Sequence, residues 1–340
     1  MPQADRLALA FATRALALPA AGTVLVLRAV PSGFLDTVPP DRLRCVQGFR
    51  PVHDSLAAAG HPVSARAELP AGAAAMAVVN LTRSRAENLG NVALALEALA
   101  PGGTLVVTGA KSDGVDSLAR QVARALPIEG AFVKAHGRVF WLTRPPALPA
   151  EAAAWARDAA PRRNAEGFLT APGMFSPDHA DPGSRRLAAA AAGLLSGRVA
   201  DLGAGWGWLA QAVLAASPAI TGLDLHEAEA LALDAARTNV TDPRARFHWT
   251  DATRLGRPAP PYDAVIANPP FHQGRAAEPD LGAAFVSAAQ RILKPSGRLF
   301  LVANRQLPYE PVIAIAFRDW EKLSEDGAYK VIRADRPRRA

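Results

Sequence analysis

Two consecutive α/β domains, each built on a mostly parallel sheet, are what this 340-residue sequence predicts. Three observations carry the expectation. A strand–helix–turn–strand pattern occurs once in each half, a glycine-rich loop follows a short apolar run in the second half, and a later apolar run ends in Asn-Pro-Pro. The length agrees, since roughly 150 residues make one domain. Half of the residues are hydrophobic and 20% are charged, which is enough apolar material for two cores and excludes a wholly disordered chain. A single cysteine, Cys45, excludes an intrachain disulfide framework and a cysteine-rich zinc site, and fits a reducing compartment. The longest apolar stretch, Ala15 to Leu27, is broken by Pro19 and Gly22 and falls short of a membrane span. Asp5, Arg6 and Arg14 interrupt the N-terminal apolar residues, so no secretory signal is read there, and a soluble cytoplasmic protein is expected.

The repeat defines the elements in order. Residues 76–108 and 263–302 each begin with an apolar run ending in Asn, at Asn80 and Asn268. Each continues through a polar loop, an Ala/Leu-rich helical stretch, a Pro-x-Gly turn (Pro101–Gly103, Pro295–Gly297) and a second apolar run. That is the grammar of a βαβ unit in a buried parallel sheet. The units start with matching segments, 22–35 and 197–210; aligning Gly33 on Gly207 sets Leu27 opposite Asp201, Ala29 opposite Gly203 and Pro31 opposite Gly205. The chain therefore reads as a duplication: a degenerate domain over 1–150, a Pro- and Ala-rich linker over 151–166, and a domain that keeps the chemical residues over 167–340. The net charge of +7 is divided unevenly, with +6 in Met1–Ala165 and +1 in the remainder.

In the second half, Val199–Leu202 reads as a strand, 203–207 (Gly-Ala-Gly-Trp-Gly) as a loop, and the residues from Trp208 to about Ala216 as a helix. Glycines at alternate positions let the chain turn sharply and let a ligand approach the backbone. A second strand over 219–224 ends in Asp224, at a distance that suits a ribose diol. This combination says nucleotide-like cofactor; the spacing departs from the G-x-G-x-x-G of nicotinamide dinucleotide sites. The run 262–267 then enters Asn268-Pro269-Pro270-Phe271-His272. Two prolines cannot extend a ladder and fix a rigid turn at the C-terminal edge of the sheet, where ligands bind in open α/β folds. The turn offers the Asn268 amide oxygen and backbone carbonyls to an exocyclic –NH₂ group, with Phe271 as a stacking face. The histidines show no metal-ligand spacing, so no metal is expected.

The order of DLGAGWG, GLDL, Asp251-Ala252 and NPPF resembles the class I S-adenosylmethionine-dependent methyltransferases that act on exocyclic or amide nitrogens. With 172–176 (PGMFS), 181–184 (DPGS), 301–305 (LVANR) and 307–309 (LPY), and with a degenerate first copy, the chain is similar to bacterial ribosomal RNA guanine-N2 methyltransferases with tandem Rossmann-like domains. The resemblance is specific in the second half and looser in the first. It implies S-adenosyl-L-methionine as cofactor, bound by Asp201, Gly203, Gly205 and Gly207 at the methionine and ribose end. Asp224 would take the ribose hydroxyls, Asp251 and Ala252 would flank the adenine, and Asn268, Pro269 and Phe271 would hold the guanine. Phe175 and Ser176 would lie near the cofactor or over the pocket. Small-subunit RNA, naked or in an assembled subunit, is the favoured substrate, and the chain is expected to act as a monomer without membrane or metal. The first copy is expected to bind no cofactor. Its charge excess and the loop residues Arg83, Arg85 and Lys111 suit it to docking RNA. Two other readings keep parts of this evidence: an N-methyltransferase on DNA adenine N6 or protein glutamine, which usually carry Tyr where this chain has Phe271, and a non-catalytic RNA-binding or assembly factor.

Overall fold

The computed structural model describes residues 5–270 and 279–338. These divide into two compact units, Met1–Pro161 with Ala171–Gly173, and Arg162–Thr170 with Met174–Ala340. The first unit holds helices α1 (Arg6–Ala12), α2 (Arg50–Ala58), α3 (Arg85–Ala98), α4 (Val115–Val122) and α5 (Ala150–Ala159). Its strands are β1 (Thr23–Leu27), β2 (Leu43–Val46), β3 (Val63–Ser64), β4 (Ala74–Asn80), β5 (Leu99–Ala110), β6 (Gly130–Lys134) and β7 (Gly137–Thr143). They form one sheet in the order β3-β2-β1-β4-β5-β7-β6, parallel except where β7 joins β5 and β6. Alternate residues of β1 serve two cores: Leu25 and Leu27 pack with α3 and α4, Val24 and Val26 with α1. Burial on both faces is why these strands are continuous apolar runs.

The second unit repeats the plan. A short hairpin, β8 (Arg162–Arg163) and β9 (Leu169–Thr170), precedes β10 (Gly197–Leu202), β11 (Ile220–Glu227), β12 (Ala245–Trp249), β13 (Tyr262–Ala267), β14 (Leu293–Asn304), β15 (Phe317–Glu325) and β16 (Tyr329–Pro337). The seven-stranded sheet runs β12-β11-β10-β13-β14-β16-β15, the same order as the first, again with an antiparallel edge. Its helices are α6 (Pro182–Ala191), α7 (Trp208–Ala216), α8 (Ala230–Asn239), α9 (Pro279–Ile292) and α10 (Glu310–Ala316). The two cores on either face of β10 are again distinct.

Three expectations change. The segment 151–166, expected as a linker, contains most of α5, whose Ala152 and Trp155 are buried in the core beneath α3. Ala-rich composition there is helix rather than tether. Second, sheet register shifts the alignment of the two copies by one residue. Leu27 pairs with Val79 and Leu202 with Ala267, so matching Asn80 to Asn268 sets Val26 against Asp201 and Arg28 against Gly203. The first copy carries one more residue between its strand end and Gly33. Third, the strand expected to stop at Asp224 runs on to Glu227, which changes the acid that stands at the sheet edge. Among the described residues no helix is long and apolar enough to cross a membrane.

Candidate functional site

The site lies at the C-terminal edge of the second sheet, where β10 and β13 pair in parallel and release their chains side by side. After Leu202 the backbone turns through Gly203, Gly205 and Gly207 with φ of 76°, 56° and 91°, the left-handed region that side chains disfavour. A Cβ on Gly207 would come within 2.7 Å of Val240, so that glycine also allows α7 to start close against α8. Gly205, by contrast, faces open space. The loop is tied to the neighbouring strand: Gly203 N donates to the His226 carbonyl at 2.9 Å, and Gly205 N donates to a Glu227 carboxylate oxygen at 2.7 Å. Glu227 also accepts from Glu229 N at 2.7 Å. Burial raises the Glu227 carboxyl above its usual range, with the backbone donors opposing.

Asp201 is fully buried, and neither carboxylate oxygen has a hydrogen-bond partner. Burial, reinforced by the nearby Glu227 charge, pushes its pKa up to about 8. A buried acid without a partner is costly, and such a group beside a glycine cradle is a place where a cation would be held.

Asp224 is not at this edge. It pairs with Ala200 inside the sheet, and its side chain is 2% exposed. Arg198 at 2.8 Å and Tyr262 at 2.7 Å donate to it, and His248 lies at 3.3 Å. Burial alone would raise its carboxyl, but these bonds and the Arg198 charge hold it below the usual carboxylate range. The expected ribose acid is thus a saturated structural anion, and Glu227 takes the position at the ligand edge. His226 beside this network is buried, and burial followed by the His248 charge lowers its pKa to about 4, so it stays neutral.

On the other side of the cleft, Asn268 leaves β13 and donates both amide N–H bonds, to Asp181 Oδ2 at 2.9 Å and Ser184 Oγ at 2.8 Å. Its Oδ1 is shielded from solvent and has no partner. Pro269 is buried and Pro270 exposed. Phe271 and His272 lie outside the described residues. A cleft is lined by Phe175, Ser176, Asp181, Ser184, the loop from Gly203 to Trp206, Trp208, Leu209 and Asn268. Phe175 stands exposed on its rim, on a turn where Ser176 has a φ of 46°. Trp206 is buried and structural, donating from Nε1 to the Phe175 carbonyl at 2.8 Å and packing on Phe168. Trp208 packs on the α6–α8 side, beneath the Arg185 guanidinium. Asp251 caps the turn that follows β12, accepting from Thr253 N and Oγ1, and Ala252 is buried beneath it.

The first unit retains the plan without the chemistry. Gln47 stands where Glu227 does, by the pairing of Leu27 with Val46 and of Leu202 with His226. Its Oε1 accepts from Phe49 N at 2.9 Å, as Glu227 accepts from Glu229, but its amide donates to the Ala29 carbonyl at 2.8 Å. Arg28, with a φ of 49°, occupies the place of Gly203 and pairs with Glu87 at 2.7 Å. Asn80 turns its amide back to the Leu27 carbonyl. Of the basic loop residues, Arg83 and Arg85 line one cleft with Ser112, Asp113 and Gly114, and Arg85 donates twice to Gln121. Lys111 is exposed in the adjoining turn and does not line that cleft. No group of three or more His, Cys, Asp or Glu able to hold a metal occurs among the described residues.

Comparison with known proteins adds three findings. Residues 166–333 match the methyltransferase small domain family. Curated relatives bearing the name ribosomal RNA small subunit methyltransferase C include one from Shewanella oneidensis, 29% identical over 70% of each chain. Another, from Escherichia coli, is 33% identical over 50% of each chain, and one from Idiomarina loihiensis is 29% identical over 50%, so the alignment spans about half the length of both. A 16S rRNA N2 methyltransferase of T. thermophilus, solved in complex with AdoMet and guanosine, superposes with a TM-score of 0.78 at 25% identity. The superposition covers 94% of this chain and 90% of that one.

The state of Asp201 has a measurable consequence. Its folded pKa of about 8 lies above the ordinary 3.8, so the folded chain keeps a proton that the unfolded chain loses. The contribution of this group to stability is therefore present at low pH and is lost as pH rises from about 4 to about 8. Asp201→Asn removes the dependence. Denaturant midpoints measured from pH 5 to pH 9 should show the wild type losing stability relative to the variant across that window. A constant difference would show that Asp201 is ionised throughout.

Proposed function

We propose that this chain, whose residues 166–333 belong to the methyltransferase small domain family, transfers a methyl group from S-adenosyl-L-methionine to the exocyclic N2 of a guanine in small-subunit ribosomal RNA. The observation that carries the reading is one cleft lined by the glycine loop and by Asn268, whose amide oxygen has no partner, with the unpartnered Asp201 two residues before that loop. The substrate follows the likeness to the guanosine-bound structure and the relatives' names. A cytoplasmic site of action and a single active chain go with that substrate.

The residues present fit the cofactor. Asp201 supplies a buried carboxyl without a partner, which an arriving ammonium would hold in its ionised form, Glu227 a carboxylate for ribose hydroxyls, and the loop an approach free of side chains at Gly205. Asp251 and Ala252 lie in the turn that follows β12, the strand beside β11, and flank the adenine in this reading. When bound, this cofactor supplies a methyl group on a sulfonium that leaves readily, so the protein needs no nucleophile of its own. Asn268 accepts an N–H of the guanine amine, draws the nitrogen lone pair out of conjugation and stabilises the positive charge that develops on it. The remaining contribution is alignment, holding the acceptor nitrogen at attack distance. Phe271 stacks on the base in this reading, and the extra proton passes to solvent. The first unit, with Arg28 and Gln47 closing the cradle, binds no cofactor and docks RNA through Arg83, Arg85 and Lys111.

Purified chain with a tritiated methyl donor and small ribosomal subunits, or their RNA, should label guanine at N2 as resolved by nucleoside mass analysis. Asn268→Ala should lower kcat by roughly 10²-fold or more while calorimetry finds cofactor affinity within threefold and one site per chain. Unlabelled guanine with active wild-type cofactor binding would overturn the substrate.

Glu227→Gln and Asp224→Asn separate the two acids. The first should weaken cofactor binding by about tenfold with little loss of Tm, because it removes a carboxylate at the edge. The second should lower Tm, since it breaks a buried charge network, and leave cofactor affinity within a few-fold.

Charge reversal at Arg83, Arg85 and Lys111 should raise KM for RNA without changing cofactor affinity. It should also flatten the log–log salt dependence of RNA binding by about 0.7–0.9 per lost phosphate contact. An unchanged slope would leave the first unit as a brace.

A further inference from the structure

The Asn268 amide is held by a clamp whose members belong to neither the glycine loop nor the Asn-Pro-Pro turn. Asp181 is the N-cap of α6: its Oδ2 accepts from Ser184 N at 2.9 Å and from Asn268 Nδ2 at 2.9 Å. Ser184 Oγ, one turn into the same helix, accepts the second N–H at 2.8 Å. Both amide protons are therefore spent on α6. A flipped amide would set its oxygen against a carboxylate, so the clamp also decides that Oδ1 is the atom left without a partner. Such an amide orientation follows from its neighbours, and these neighbours allow one answer.

The first unit shows the same parts wired differently. Asp5 caps α1, the helix before the first strand there, by accepting from Ala8 N at 3.0 Å. Its other oxygen takes Ser32 Oγ at 2.6 Å and Gly33 N at 2.8 Å, while Asn80 donates to the Leu27 carbonyl. The capping acid reaches the strand-end asparagine only in the copy whose asparagine lines a cleft.

We propose that Asp181 and Ser184 are positioning residues that fix the Asn268 carbonyl toward the acceptor amine, an inference that rests on the reading of Asn268 given above. A negative charge behind the amide also polarises it, which makes Oδ1 a stronger acceptor for a nitrogen becoming cationic.

The test uses the full chain in three forms. In Asp181→Ser with Ser184→Ala, serine still caps α6 but is too short to reach Asn268. Ser184→Ala alone removes one acceptor, and Asp181→Asn keeps an acceptor of the same reach without the charge. The double variant should lose about 10- to 100-fold in kcat, with KM for RNA and cofactor Kd within threefold. Ser184→Ala should lose less, and Asp181→Asn should recover most of the rate. A parallel fall in kcat and cofactor affinity, or a wild-type kcat in the double variant, would overturn the assignment. Should the double variant not fold, Ser184→Ala carries the same comparison. The second readout is independent of turnover. With ¹⁵N-asparagine labelling, the Asn268 side-chain NH₂ signal should move in the double variant and remain near its position in Asp181→Asn. An unmoved signal in the double variant refutes the clamp. Absence of guanine methylation by the wild type, with the signal moving as expected, refutes only the function read for Asn268.

Discussion

The site depends first on the parallel register between β10 and β13. Pairing of Leu202 with Ala267 ends both strands at the same level, so Gly203 and Asn268 emerge as neighbours. Side chains alternate along a strand, and a slip of one residue would turn every one of them to the opposite face. Val199 and Ala200 point into different cores, each filled by its own set of helices, so such a slip would exchange the contents of two packed layers. The register is thus protected by burial on both faces, and the glycine loop inherits its position from it. The prolines at 269 and 270 add the complementary constraint, since neither can donate to a ladder and the chain must leave the sheet there.

The two units show what a duplicated sheet keeps when chemistry is withdrawn from one copy. Strand order and the bond from residue 47 or 227 to the backbone two positions on are retained. What changes is the sense of the polar contacts facing the cradle. Glu227 accepts from the loop and leaves it open; Gln47 donates to the loop and closes it. Arg28 enters the space that Gly203 leaves and is held there by Glu87. The first cradle is filled by internal pairs that satisfy one another.

Fold and duplication were legible in the sequence because buried parallel strands and Pro-x-Gly turns leave strong local signatures. The place of Asn268 at the sheet edge was legible too, since two prolines following it must end the strand. Asp224 was misplaced for a physical reason: an acid within an apolar run looks like the end of a strand, whereas Arg198 and Tyr262 allow it to sit inside one. The stretch from Leu225 to Glu227 contains a buried histidine, and nothing local shows that His226 is neutral and compatible with a sheet. The clamp from α6 was illegible for another reason, because Asp181 and Asn268 are 87 residues apart and only folding introduces them. Helix α5 was hidden by alanines and flanking prolines that read equally well as linker.

Two buried aspartates in the same sheet make the division between structure and chemistry concrete. Asp224 has an arginine and a tyrosine as donors with a histidine alongside, and stays ionised; its charge is neutralised within the fold and is unavailable to anything else. Asp201, one strand away and more deeply buried, has none of these, and burial drives it to keep a proton. Evolution of a purely structural site would remove such a group, because an apolar residue fits the same space without the cost, as Val26 does in the first unit. A positively charged partner from outside the chain would offset that cost. The Asn268 oxygen, in the wall of the cleft, is likewise shielded and unpartnered. The second unit thus holds a carboxyl without a cation and an amide oxygen without a donor, the two complements that a cationic methyl donor and an amine would carry.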